Sequence, residues 1–152
     1  MVIEELYLLG KVAAAMVLAG LVGFEREADR KAAGLRTHML VGGAAALLVG
    51  LSDLLIETFS HEAGEAMRTD PIRIVEAIVA GVSFLGAGTI FVSGQNRVRG
   101  LTTAASLLMV AGIGVTIAVE AWVVALGVTL LTLAVLRVLA LLDTPKGHDN
   151  GD

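Results

Sequence analysis

Along this chain apolar residues run in long blocks, and charge is confined to short stretches between them. KVAAAMVLAGLVGF and HMLVGGAAALLVGL carry one charge, Lys11, while GFEREADRKAAGLRTHML between them gathers seven charged side chains into twelve residues. A helix needs about 20 mostly apolar residues to cross a bilayer. Blocks of that length predict five membrane helices, over residues 6–24, 39–56, 72–92, 101–119 and 121–142. The fourth holds no charge; the others hold Lys11, Asp53, Arg73 with Glu76, and Arg137. Only Glu120 and its neighbours part the last two, which form a tight helical hairpin; the alternative is a single long, bent helix and four spans in all. The alternation of a membrane barrel strand is missing. The expected fold is therefore an all-α polytopic membrane bundle over residues 1–142, followed by a short polar tail, 143–152.

Composition supports this reading. The chain is 56% hydrophobic and 17% charged, with a mean hydropathy of +0.82, against about 45–50% and about 25% in soluble domains. Small residues recur four apart, as Gly42, Ala46 and Gly50 and as Ala15, Ala19 and Gly23. Such stripes let membrane helices approach closely; they are read either as ordinary packing common to membrane helices or as a homodimer contact.

Lys and Arg set the orientation. With five spans, Arg26, Arg30, Lys31, Arg36, Arg97, Arg99, Arg137 and Lys146 share one side, and Lys11, Arg68 and Arg73 the other. The positive-inside rule places the first group in the cytoplasm, with the N-terminus outside and the C-terminus in the cytoplasm. Glu4 and Glu5 stand where a signal peptide would carry cations, so the first run reads as a retained span. The absence of cysteine excludes disulfides and thiol chemistry, and no basic stripe with aromatics points to nucleic acid.

AGLRTHMLVGGAA (33–45) and RGLTTAASLLMVA (99–111) share a Gly-Leu-x-Thr opening before an apolar helix. They read as a parallel internal repeat, the alternative being chance similarity of Ala/Gly/Leu-rich segments. Thr37 and Thr102 or Thr103 fall where N-caps belong. Two such helix starts beside Arg36, Arg97 and Arg99 would favour an anion, while ordinary capping with Arg reaching to headgroups is the alternative.

GFEREADRKAAGLRTHMLV, DPIRIVEAIVAGVSFLGAG and VRGLTTAAS, in that order and spacing, resemble the MgtC/SapB membrane family from about residue 6 to 139. The resemblance implies a multi-pass prokaryotic inner-membrane protein linked to magnesium homeostasis, in a family associated with adaptation to low magnesium and with restraint of ATP synthase. It carries over Glu25, Arg26, Gly34, Arg36, Thr37 and His38 from the first motif. Asp70, Pro71, Arg73, Gly81, Phe84, Leu85, Gly86, Ala87 and Gly88 match the second, with Gly81, Gly86 and Gly88 as close-packing positions. Arg99, Gly100, Leu101, Thr102, Thr103 and Ala104 match the third. Many relatives continue into a soluble C-terminal domain, whereas this sequence ends at Asp152, so a transmembrane domain alone is expected. An aromatic that often follows TAAS is replaced by Leu107 and Leu108.

Charges at the edge of the hydrocarbon need partners and are functional candidates. Glu25, Arg26, Arg36, Thr37, Arg99, Thr102 and Thr103 form the expected cytoplasmic site, with Glu25 compensating Arg36 and Arg99 and Arg26 turned toward headgroups or a ligand. Lys11, Asp53, Asp70, Arg73 and Glu76 form an expected outer polar cluster, read first as the acids pairing with Lys11 and alternatively as a cation path. Asp53, Asp70 and Glu76 suit magnesium chemically but are too few for a dehydrating cage, so no cofactor beyond a candidate Mg2+ ligand is expected. Three functions follow in order. A regulatory or binding membrane protein, with ATP synthase among its candidate partners, precedes a transporter or channel for magnesium or a small anion. An intramembrane enzyme comes last, because His38, His61 and His148 lie in different regions of the chain.

Overall fold

A computed structural model describes residues 2–63, 70–93 and 97–142. The order is α1 (Val2–Ala28), α2 (Leu35–Ala63), α3 (Pro71–Thr89), strands β1 (Phe91–Ser93) and β2 (Arg97–Arg99), α4 (Leu101–Ala118) and α5 (Trp122–Leu142). α1, α3, α4 and α2 as far as Ile56 are each long and apolar enough to cross a membrane, and α5 adds an apolar helix over Trp122–Val138. The tail at 143–152, Arg68 and Lys146 lie outside the described residues.

Each boundary has a local cause. α1 outlasts its apolar run because Glu25, Arg26, Glu27 and Ala28 all favour helix. It closes in a Schellman turn, with Lys31 N–H donating to Arg26 O (3.0 Å) and Arg30 N–H to Glu27 O (2.9 Å). That turn needs a left-handed residue, usually glycine; here it is Arg30, at φ 54°. α4 closes in the same way through Ala121 N–H to Thr116 O (2.8 Å) and Glu120 N–H to Ile117 O (3.0 Å), with Glu120 at φ 62°. Pro71 opens α3 behind Asp70, whose Oδ1 accepts from Ile72 N–H at 3.0 Å, a fixed φ and a capping carboxylate at the positions that suit them.

The third span is corrected at its end. Expected to 92, α3 stops at Thr89, and the strand-favouring Ile90, Phe91 and Val92 lead into a short antiparallel hairpin pairing Phe91 with Arg99 and Val92 with Val98. Gly100 ends the hairpin at φ 92°, where a Cβ would collide with the Thr89 carbonyl.

α4 is the central helix. It touches the other four and buries Leu107, Val110, Ile113, Gly114 and Ile117, as expected of a helix apolar all round. The two small-residue stripes are spent inside this chain, contrary to their reading as a contact between copies. A Cβ on Gly42 would lie 2.5 Å from Ala19 Cβ and 3.3 Å from the carbonyls of Ala15 and Val110, and one on Gly23 2.7 Å from His38 Cβ. With Ala15, Ala19 and Ala46 wholly buried, these positions bring α1, α2 and α4 together. Of the expected close-packing glycines only Gly86 qualifies, where a Cβ would lie 3.2 Å from Ala104 Cβ; a Cβ on Gly81 or Gly88 would meet nothing within 4 Å. Val17, Leu21, Leu48, Val123, Leu130 and Leu131 stand on the outside, an apolar exterior suited to lipid.

Candidate functional site

At the end of the bundle formed by the α1–α2 and α3–α4 connections, a cavity of about 700 Å³ opens among Arg26, Asp29, Arg30, Lys31, Arg99 and Thr103, with Phe91, Val98, Val135 and Leu136 as apolar wall. Residues more than sixty positions apart in sequence thus meet there. The Schellman turn places Arg30 and Lys31 on one side, and the hairpin places Arg99 on the other.

Glu25 and Arg26 anchor this site in a way their spacing hides. Adjacent helix residues normally point apart, yet Arg26 Nε donates to Glu25 Oε2 at 2.7 Å and Nη2 to Glu25 Oε1 at 3.1 Å. Nη2 also reaches Asp29 Oδ2 at 3.2 Å. Both members are buried, at 5% and 2% exposure, and a two-point guanidinium–carboxylate contact is among the strongest hydrogen-bonded pairs. The partner expected for Glu25 is therefore corrected: it is Arg26, while Arg36 stands exposed and does not line the cavity. Arg26 is turned inward rather than toward headgroups.

The threonine caps are corrected too. Thr37 is the third residue of α2 and exposed. Leu35 N–H, at the start of that helix, donates to Glu27 Oε2 at 2.8 Å, so a carboxylate from the end of α1 closes it. Gly34 makes room, since a Cβ there would sit 2.7 Å from Glu27 Oε2. Thr102 and Thr103 follow Leu101 inside α4, whose N-cap is Gly100 with no side-chain cap. The two Gly-Leu-x-Thr openings thus differ: the first is closed by Glu27, and the second, Gly100 to Thr103, lines the cavity.

Beneath the cavity, His38, carried over with the first motif, meets Ser106, which the sequence did not single out. His38 is fully buried; its Nδ1 lies 2.8 Å from Gly34 O and its Nε2 2.9 Å from Ser106 Oγ. A carbonyl only accepts, so Nδ1 carries a proton. Ser106 Oγ also lies 2.8 Å from Thr103 O, to which it can donate. With a neutral ring, the single hydroxyl proton serves either Nε2 or Thr103 O. The cluster joins α2 to α4 directly under Thr103. Neither Glu27 nor Ser106 carried a signal beyond its type; His38 was within the quoted motif.

The outer cluster is only partly assembled. Lys11 Nζ binds Glu120 Oε1 at 2.9 Å and Ala118 O at 2.9 Å, with the ammonium 4.8 Å from the Tyr7 ring centre. Its partner is thus Glu120 and not the expected acids. The Lys11 ammonium, by hydrogen bond and charge, holds the Glu120 carboxyl below the usual range. Asp53 joins Lys11, Glu4 and Tyr7 around a second cavity of about 310 Å³. Asp70 caps α3, and Arg73 and Glu76 are exposed on it. Among the described residues no three acidic or histidine side chains gather as a metal site, so Asp53, Asp70 and Glu76 are not brought together as magnesium ligands.

The MgtC family model matches residues 12–144. The chain belongs to the MgtC family. It is 40% identical over 129 residues to the "Putative magnesium transporter YhiD" of Escherichia coli K12, covering 82% of this chain and 56% of that protein. It is 45% identical over 104 residues to the "Protein MgtC" of Brucella abortus, covering 68% and 39%. An uncharacterized protein of Haemophilus influenzae is 36% identical over 112 residues, covering 74% and 47%. The chain therefore spans about half the length of these relatives or less. No solved structure matches. Family and apolar helices together make this MgtC-family chain a membrane protein.

Proposed function

We propose that this chain is a regulatory or binding protein of magnesium homeostasis in a prokaryotic inner membrane, acting without a catalytic step. Its N-terminus lies outside, and its cation-lined cavity faces the cytoplasm. The observation that carries the reading is the convergence of the α1–α2 turn and the α3–α4 hairpin on one cavity braced by the buried Glu25–Arg26 pair. Cations around a cavity receive anions or an acidic surface, and they repel Mg2+. The names of the E. coli and Brucella relatives support the tie to magnesium. ATP synthase, implied by the family resemblance, is the proposed kind of partner. A homodimer would use the outer face of α3, where Gly81, Phe84, Leu85 and Gly88 are exposed.

A second reading, ion transport, draws on the printed name of the E. coli relative and on the Asp53 cavity at the opposite end. Growth of a deletion host at limiting magnesium, complemented by this chain, separates the two. Arg99→Gln should abolish complementation at unchanged protein level, and purified protein in liposomes should pass no Mg2+. Flux that Asp53→Asn blocks and Arg99→Gln spares would establish transport instead.

A further inference from the structure

We propose that the cavity between the α1–α2 turn and the hairpin binds a dianionic phosphoryl group, the terminal group of a phosphate monoester. The inference rests on reading this cavity as the working site, and charge counting carries it. Arg26 is held by two carboxylates, Glu25 and Asp29, a set with one net negative charge. Arg30, Lys31 and Arg99 line the same cavity, and among the described residues none of them forms an ion pair. Among the described residues, three unpaired cations beside that set leave two positive charges, which a monoester phosphate near neutral pH matches and a phosphodiester only half matches. A guanidinium binds phosphate oxygens at two points, and an ammonium adds a point charge.

The surroundings fit the same ligand. Thr102 and Thr103 stand at the uncapped start of α4 and add N–H donors to the positive end of a helix dipole. Phe91, Val98, Val135 and Leu136 form the other wall, so a phosphoryl group with an apolar body is accommodated better than a bare ion. The Glu25–Asp29 clamp holds Arg26 in place before any ligand arrives, which lowers the ordering cost of binding. Such a group is available either on a membrane lipid, phosphatidic acid, or on a soluble phosphate monoester.

The test uses the full chain in phosphatidylcholine nanodiscs. One arm titrates glycerol 3-phosphate, with the monoanionic diester dimethyl phosphate at equal ionic strength as control. The other replaces a tenth of the lipid by phosphatidic acid or by the diester phosphatidylglycerol. The expected result is a rise in Tm with one phosphomonoester source and less with its control; the arm that responds identifies the source. Arg99→Gln should weaken that response about tenfold in apparent affinity, as loss of one charged hydrogen bond does, without lowering the Tm of unliganded protein. Arg30→Gly, which keeps the left-handed turn, should act likewise and serves should Arg99→Gln fold poorly. No response in either arm, or equal responses to monoester and control that both variants retain, would overturn the proposal. Failed complementation at low magnesium with intact phosphomonoester binding would instead refute the physiological role alone.

Discussion

His38 of α2 and Ser106 of α4 lie 68 positions apart in sequence and meet at 2.9 Å, both buried. Ser106→Ala strips Nε2 of its partner in a site that water does not reach. A buried polar group left unsatisfied costs about 1–3 kcal/mol, and a melting curve in detergent should show that loss. Ser106→Thr, which keeps the hydroxyl, should recover part of it. Equal melting for Ser106→Ala and wild type would mean that the bond does not tie the helices.

Glu25→Gln should be more costly. Breaking a buried pair by removing one partner typically costs about 3–5 kcal/mol, and Arg26 would retain only Asp29, a carboxylate that is half in solvent. Arg36→Gln should change stability by less than about 0.5 kcal/mol, as exposed substitutions do, and should give no rescue when combined with Glu25→Gln. Non-additivity in that double mutant would restore Arg36 as the partner.

Stability should fall in acid through Glu120. Its carboxyl is held low in the folded protein by Lys11, so between its folded and unfolded pKa values the unfolded chain binds more protons and stability rises with pH. The contribution is complete above the ordinary glutamate range and disappears as pH drops through the depressed folded value. Glu120→Gln should flatten that segment of the Tm-against-pH curve; an unchanged slope would show the pair to be inert.

Glycines of one sequence type should divide by position. Ala46→Leu or Gly42→Val overpacks the α1–α2–α4 contact, at a cost of about 1–3 kcal/mol or more, with no change in oligomeric state. Gly81→Ala has open space around it and should be neutral or mildly stabilising. In this cysteine-free chain, Gly88→Cys should cross-link copies across the α3 face, whereas Ala46→Cys should not. Cross-linking by both, or by neither, would remove α3 as the contact.

Single cysteines also report orientation. Ala32→Cys beside the cavity should resist an impermeant thiol reagent in intact cells, and Val119→Cys in the α4–α5 turn should react. The opposite pattern would invert the bundle and place the cavity outside.

Apolar block length and charge placement were enough to read the helices. Spanning a bilayer is a one-dimensional requirement, roughly one turn per 5.4 Å over an apolar run; helices α1 and α2 cover the first two expected runs, and α4 and α5 cover the last two to within a residue. The third failed at 90–92, because strand and helix compete locally there and the hairpin pairing decided for strand. Glu25, Arg26 and Arg99 could be picked out as charges at a membrane boundary, since desolvation makes such groups conspicuous in any sequence. Their partners could not. A carboxylate has many cations within reach of a linear reading, and only the packing of α1 against α2 and α4 selects Arg26 for Glu25, Glu120 for Lys11, Glu27 for the start of α2 and Ser106 for His38. The glycine stripes make the same division. Four-residue spacing shows that something packs closely, but whether the neighbour is Ala19 of the same chain or a second copy depends on which helix faces are already occupied, and that is settled only when all five helices are in place.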